Sequence, residues 1–408
     1  MANKGLARTT VTLLPFVFLT FASNTAWAQS KFYSATEIAQ LDKTLGLLEK
    51  QDSSGHSKHI PPEIANLIAG KNNAIGVALT LPKSAAVKID LSEQERAYYK
   101  NHFGELRLRI LRAELGSQRI DRIRNIFGQR LHDKDHAIQS NAIWWFVSVL
   151  GEDPDIAKVV ELLRDTDQDT RLEAADELAR AQNPSGTKVM EELLTSTDSM
   201  KAWRAANGLA VLNNPKAKKT LLEIVHSTST ELMTKQLSLS SLGRVPGEDV
   251  DDLLMDTLNM KDKVLLKGAL IGLQLRHPRL DATRIERIFS IVEDVEIDPN
   301  DRETAALIVV LTRQPLDIRE RLLSYRRSND PVLKKIMLVG LMNNGEKKDV
   351  PELMKFLNDP DSEMRMQAEY AVRRLTGVDL GYPRSDLDAV IAKRKVWWNQ
   401  HQNDPEFK

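Results

Sequence analysis

From about residue 119 onward the sequence repeats with a step of 31. Laid over Thr197–Pro215, the segment Thr166–Pro184 pairs identical residues at eight of nineteen positions: Thr166/Thr197, Asp167/Asp198, Ala174/Ala205, Ala175/Ala206, Leu178/Leu209, Ala179/Ala210, Asn183/Asn214 and Pro184/Pro215. Pro154, Pro184, Pro215 and Pro246 punctuate the chain at the same step, each after a helix end and before a new apolar run. Between them two helical patterns alternate, such as Ile156, Val159, Val160, Leu162 and Leu163, then Leu172, Ala175, Leu178 and Ala179. A unit this short cannot bury its own apolar faces, so each helix pair must stack on its neighbours. The expected fold is therefore all-α, an α-solenoid.

The spacing predicts about eight helix pairs, over 119–150, 153–182, 184–213, 215–244, 246–276, 278–313, 314–344 and 345–377. An acidic insertion at Val295 to Asn300 lengthens the sixth and reads as a loop.

The pattern Asp-x-x-x-Arg-x-x-Ala, followed by apolar residues at helical spacing, occurs as Asp167, Arg171, Ala174, Ala175 and Leu178. It recurs as Asp361, Arg365, Ala368, Ala371 and Leu375-Thr376-Gly377. This resembles the second helix of HEAT repeats, and more closely the short bacterial HEAT-like repeats of which the phycobilisome-lyase type is one branch. The closing segment Leu375 to Tyr382, with Trp397-Trp398 after it, is similar to the end of many exported bacterial HEAT-repeat proteins. The resemblance covers residues 119–400 and implies an armadillo-like superhelix, while saying almost nothing about activity. The helix near Lys235–Leu242 departs from it, with Ser where Ala is expected, and the helix near Lys263–Leu275 lacks the Asp and Arg pair.

Ahead of the repeats, Lys4 and Arg8 precede an apolar stretch from Val11 to Ala22, and Ala26-Trp27-Ala28 offers a small-residue cleavage site before Gln29. Residues 1–28 are expected to be a signal peptide, directing the chain to the periplasm or outside the cell. No later stretch approaches the roughly 20 apolar residues of a bilayer span, so no stable membrane span is expected after cleavage. Residues 29–117 form a small mixed N-terminal region. A helix opens at Thr36-Glu37 with Ile38, Leu41, Leu45 and Leu48 on one face, and alternation at 75–81 and 87–91 suggests a short hairpin. Ser92 with Glu95 reads as a capping box for a helix carrying Tyr99, Phe103, Leu106, Ile110 and Ala113 as far as Gly116. The repeats then occupy 118–377, and 378–408 form a C-terminal cap and tail.

Composition narrows the chemistry. With no cysteine among 408 residues there are no disulfides, thiolate metal sites or thiol nucleophiles. Balanced charge, 57 Lys+Arg against 57 Asp+Glu, gives no basic field for nucleic acid. His132 and His136 lie four apart, but Asp133-Lys134-Asp135 between them reads as a turn, and no third ligand is indicated. His56 and His59 sit in a polar loop without carboxylates. Asp251-Asp252 and Glu191-Glu192 are adjacent and diverge on a helix surface, whereas acid and base catalysis needs convergence in a cleft. The sequence thus points to no catalytic residues, no metal and no cofactor.

Trp203 aligns with Leu172 and Met366 and is expected in the core. Trp144 and Trp145 stand about 100° apart on a helix, so that one can be buried while its neighbour reaches the inner surface. Trp397 and Trp398 are expected to cover the last pair, since a solenoid end must be capped. The repeated Asp167 with Arg171 and Asp361 with Arg365 read as a bridging ladder between turns and helices. Residues 150–300 carry 19 Lys+Arg against 27 Asp+Glu, and residues 319–408 carry 17 against 14, an acidic middle before a mildly basic end. The charge split reads first as solvated faces of separate helices, although an acidic middle could steer a basic segment to the concave face. The expected function is an exported non-catalytic scaffold that docks a protein of unspecified identity along that face. A wall- or polysaccharide-associated structural protein and a lyase-related enzyme or enzyme accessory are the alternatives.

Overall fold

Seven of the eight second helices open with an aspartate whose side chain accepts from the free amides of the first turn. Asp135 accepts from Ala137, Asp167 from Asp169 and Thr170, Asp198 from Met200 and Lys201, and Asp262 from Val264 and Leu265. Asp298, Asp330 and Asp361 accept from Asn300, Val332 and Glu363. Each such cap stabilises its helix by about 1 kcal/mol. The exception is Glu231, whose longer side chain makes no cap bond.

The computed structural model describes residues 34–53, 92–95, 110, 113, 115–260, 262–276, 278–310, 318–381, 383 and 386–408. After α1 (Ala35–Ser53) come eight helix pairs. They are α2 (Ser117–Arg130) with α3 (His136–Trp144), α4 (Asp153–Glu161) with α5 (Gln168–Arg180), α6 (Thr187–Leu193) with α7 (Ser199–Val211), and α8 (Lys216–His226) with α9 (Leu232–Leu242). The stack continues with α10 (Glu248–Thr257) and α11 (Lys263–Arg276), α12 (Ala282–Glu293) and α13 (Pro299–Val310), α14 (Arg319–Ser324) and α15 (Pro331–Asn344), and α16 (Val350–Lys355) and α17 (Ser362–Thr376). A terminal helix, α18 (Leu387–His401), follows. Eight pairs stand where the 31-residue step places them, and no strand occurs among the described residues. The suggested hairpin at 75–91, the signal segment 1–28 and most of the helix after Ser92 lie outside the described residues. At the start of that helix the Ser92 amide donates to Glu95 Oε2 at 2.9 Å and the Glu95 amide to Ser92 Oγ at 3.2 Å, a reciprocal capping box.

Every second helix from α3 to α17 packs against the second helix of the next pair, whereas successive first helices do not approach one another as closely. The second helices therefore form the continuous inner layer of the stack, and the first helices spread over its outside. The apolar core runs along this layer, from Leu41, Phe127 and Trp145 at one end through Leu178, Leu209, Leu242, Leu273 and Val309 to Leu341 and Val372 at the other. Helices α9 and α11 meet most tightly. A Cβ on Gly268 would sit 2.5 Å from the Gln236 carbonyl oxygen, and one on Gly272 would sit 2.6 Å from that of Leu239.

The signature arginine has a structural task of its own. Arg171 Nη1 donates to the carbonyls of Asp165 and Thr166 at 2.7 and 3.1 Å, and Arg365 Nη1 to those of Asp359 and Pro360 at 2.9 and 3.1 Å. Aspartate caps the second helix, while arginine clasps the turn leading into it. Both sew turns to helices without pairing with each other.

At the C-terminal end, α18 lies on α17 through Arg394 and Glu369, both fully buried. Arg394 donates to Glu369 at 2.7 and 2.9 Å and to the Val378 carbonyl at 2.7 Å. Trp397 and Trp398 meet Phe407 edge-on beside it and are tilted to each other, with centroids 5.3–6.2 Å apart, and both tryptophans pack on the core.

Candidate interaction surface

Side chains along the inner layer are fastened to one another across successive pairs. Glu173 on α5 accepts from Ser140 on α3 at 2.5 Å and from Arg204 on α7 at 2.6 Å. Lys201 on α7 reaches Asp169 on α5 at 2.6 Å. On the same helix Trp203 donates its indole N–H to Ser241 on α9 at 3.0 Å, and Lys335 on α15 meets Glu303 on α13 at 2.9 Å. Between these, α9 and α11 meet through close glycine contacts and buried apolar side chains. Asp169 and Glu173 of α5 and Glu303 of α13 are thus neutralised by the next helix, so much of the acidic excess of residues 150–300 is not bare on this layer. Among the described residues, exposed carboxylates without an ion pair include Glu231, Asp294, Glu296 and Asp298 in the turns that join the two helices of a pair, alongside others such as Glu192 and Asp256 on first helices.

Glu177, one residue beyond the Glu173–Asp176 cluster, is a carboxyl strongly shifted by its surroundings. Burial pushes its carboxyl up to about 7, Asp176 and Glu173 add to the rise, and Arg180 opposes it. One oxygen of Asp176 is buried without a hydrogen-bond partner. Such a cluster can hold protons or fix arginines.

The residues singled out from the sequence fall into place as follows. His132 is exposed in the turn after α2, and His136 begins α3 with Nε2 3.7 Å from Asp167, so the two imidazoles flank a turn. His56 and His59 lie outside the described residues. Asp251 pairs with Arg276 and Asp252 with Arg284, two different arginines, and Glu191 pairs with Lys216 at 2.7 Å while Glu192 is exposed. Trp145 is fully buried, stacked on Phe127 at 4.4 Å, while Trp144 stays half-buried and edge-on to it. Trp203 is half-buried rather than deep, because its ring bridges two second helices. Among the described residues no three His, Asp or Glu side chains converge on a metal-sized site, and no helix is long and apolar enough to cross a membrane.

Two features went unnoticed in the sequence. Glu369 occupies the register of Ala175 and Ala206 in the aligned pattern, and a charge at a core position was the available signal for its lock with Arg394. The second is a row of exposed apolar residues along one edge, foreshadowed by Met200, Met233 and Met260 at steps near 30.

Stacked helix pairs with a fastened inner layer define the class: an all-α solenoid that serves as a repeat scaffold. Residues 156–237 match the family described as HEAT repeats, and the chain carries HEAT repeats. No curated protein matches the sequence. Among solved structures, an engineered protein is 19% identical with a TM-score of 0.38, covering 82% of this chain and 96% of its own. The complex of CpcE and CpcF of phycocyanin lyase from Nostoc sp. is 14% identical with a TM-score of 0.38, covering 62% and 94%. Human deoxyhypusine hydroxylase is 14% identical with a TM-score of 0.24, covering 78% and 100%.

Proposed function

We propose that the protein is an exported scaffold without catalytic activity of its own, which holds a protein partner along the solenoid. The observation that supports this best is the inner layer itself. Glu173, Arg204, Trp203, Ser241, Glu303 and Lys335 are engaged with one another across successive helices, so a partner would meet a surface already ordered. Binding to an ordered surface avoids much of the entropy cost of fixing side chains. The exposed turn carboxylates favour a partner that presents basic residues.

Export and partnership are tested together by expressing the full chain with its first 28 residues and recovering it from the envelope fraction. Mass spectrometry should find a mature chain beginning at Gln29, and cross-linking in the intact envelope should join it to one or two stoichiometric proteins. A chain retained in the cytoplasm with residues 1–28 attached would sink the export reading. Cross-links to glycan alone would replace the protein partner with a polysaccharide one.

A further inference from the structure

The turns joining the two helices of each pair lie along one edge of the stack, and over pairs three to six exposed apolar side chains stand among the polar residues of that edge. Met200 is 36% exposed, Leu232 48%, Met233 54%, Met260 50% and Val295 70%. These five are most of the eight large apolar side chains exposed among the described residues, and each stands at or just before the start of a second helix. In the other pairs the two residues after the cap are His136 and Ala137, Gln168 and Asp169, Pro331 and Val332, and Ser362 and Glu363, of which only the half-buried Val332 is a large apolar side chain. Grooves open along the same edge. One of about 730 Å³ is floored by Leu194, Ala202 and Ile224 and rimmed by Ser199, Ser227 and Ser229. A second of about 280 Å³ lies beside Met260 over Leu266, Ile291 and Ile297. In the first, Glu191 and Glu223 are balanced by Lys216 and Lys219; in the second, Asp262, Asp294 and Glu296 outnumber Lys263 and Arg287.

We propose that this edge is the docking surface for a cationic amphipathic helix of the partner, an inference that rests on the scaffold reading above. The pitch argues for a helix. Stacked helices lie roughly 8–10 Å apart, so four turns span about 30 Å, the length of a helix of about 20 residues. Seven residues of helix rise about 10 Å, so apolar anchors spaced by a heptad meet successive turns. Methionine suits such a surface because its unbranched thioether adapts to the side chain it meets. Lysines or arginines flanking the anchors would face the turn carboxylates.

The test uses mature full-length chain and a fluorescent Leu/Lys peptide of about 20 residues with leucines along one helix face. A peptide of identical composition with its leucines scattered serves as the comparison. The amphipathic peptide should bind, the scattered one should not, and M233D together with M260D should weaken binding about tenfold or more. Adding two carboxylates strengthens any purely electrostatic attraction to lysines, so tighter or unchanged binding would overturn the proposal. Both side chains are half-exposed at helix starts, where aspartate is tolerated, and an unchanged melting curve confirms folding. Loss of binding only with W203A, on the second-helix layer, would refute this edge while leaving the scaffold reading intact. Concentration-dependent dimerisation abolished by M233D with M260D would assign the edge to a second copy instead.

Discussion

The joint between α9 and α11 and the joint between α17 and α18 solve the same packing problem by opposite means. In the middle of the stack Gly268 and Gly272 let two backbones touch, with no charge involved. At the end, Glu369 and Arg394 are both buried and face each other. The α9–α11 joint sits between two like neighbours and is fixed by shape, while other interior joints add ion pairs such as Glu173–Arg204. The terminal helix has a neighbour on one side only and comes from outside the repeat, so its register has to be specified. A buried ion pair supplies direction that apolar contact lacks, at a desolvation cost that makes it a weak source of net stability.

The largest effect should follow from breaking that lock. R394A leaves Glu369 buried without its cation and should cost about 3–5 kcal/mol, read as an early loss of α18 in thermal melts. R394M combined with E369L should recover most of it. If the double variant remained as unstable as R394A, the pair would be stabilising outright and the specificity argument would fail.

Next in size is a proton. Glu177 has a folded pKa of about 7, above its ordinary value near 4.5, so the folded state holds its proton more tightly than the unfolded chain. Stability from this group is fully present below about pH 4.5 and is lost as pH rises through 7, by about 3 kcal/mol in all. The melting temperature should fall between pH 5 and pH 8, and E177Q should flatten that slope. A wild-type profile as flat as the variant's would contradict the buried position of Glu177.

A comparable test of the shape-only joint is G268A. Its new Cβ would meet the Gln236 carbonyl, forcing α9 and α11 apart at about 1–3 kcal/mol. Because a solenoid couples each pair to its neighbours, this damage should split the melt into two transitions, whereas R394A should trim one end.

The contrast between the joints also marks what the sequence could show. The eight pairs were legible because proline spacing and the Asp-x-x-x-Arg-x-x-Ala pattern are local signals repeated many times. The Trp144–Trp145 division between buried and half-buried followed from helix geometry alone. The partner of Glu369 was not legible, since Arg394 lies 25 residues away in a helix outside the repeat. The exposed edge escaped notice for a different reason. Met200, Leu232, Met233 and Met260 each read as ordinary apolar residues at a helix start, and only stacking puts them in one row. Charge totals misled in the same way, because sums over 150–300 do not distinguish Glu173, held by Arg204, from Glu296 in an open turn.

The smallest effect concerns the one second helix whose cap fails. Aspartate caps by reaching back to amides two or three residues on, a bond that the Glu231 side chain does not make. E231D should therefore stabilise α9 by about 0.5–1 kcal/mol, while D198A should cost α7 about 1 kcal/mol. Helix α9 is flanked by the glycine-packed joint and by Trp203, so a stiffer start to it should be felt in both directions along the stack. Amide exchange on α9 and α11 should slow in E231D, with α17 and α18 unaffected. Equal slowing at both ends would mean that the stack unfolds as one unit and that the two kinds of joint are energetically equivalent.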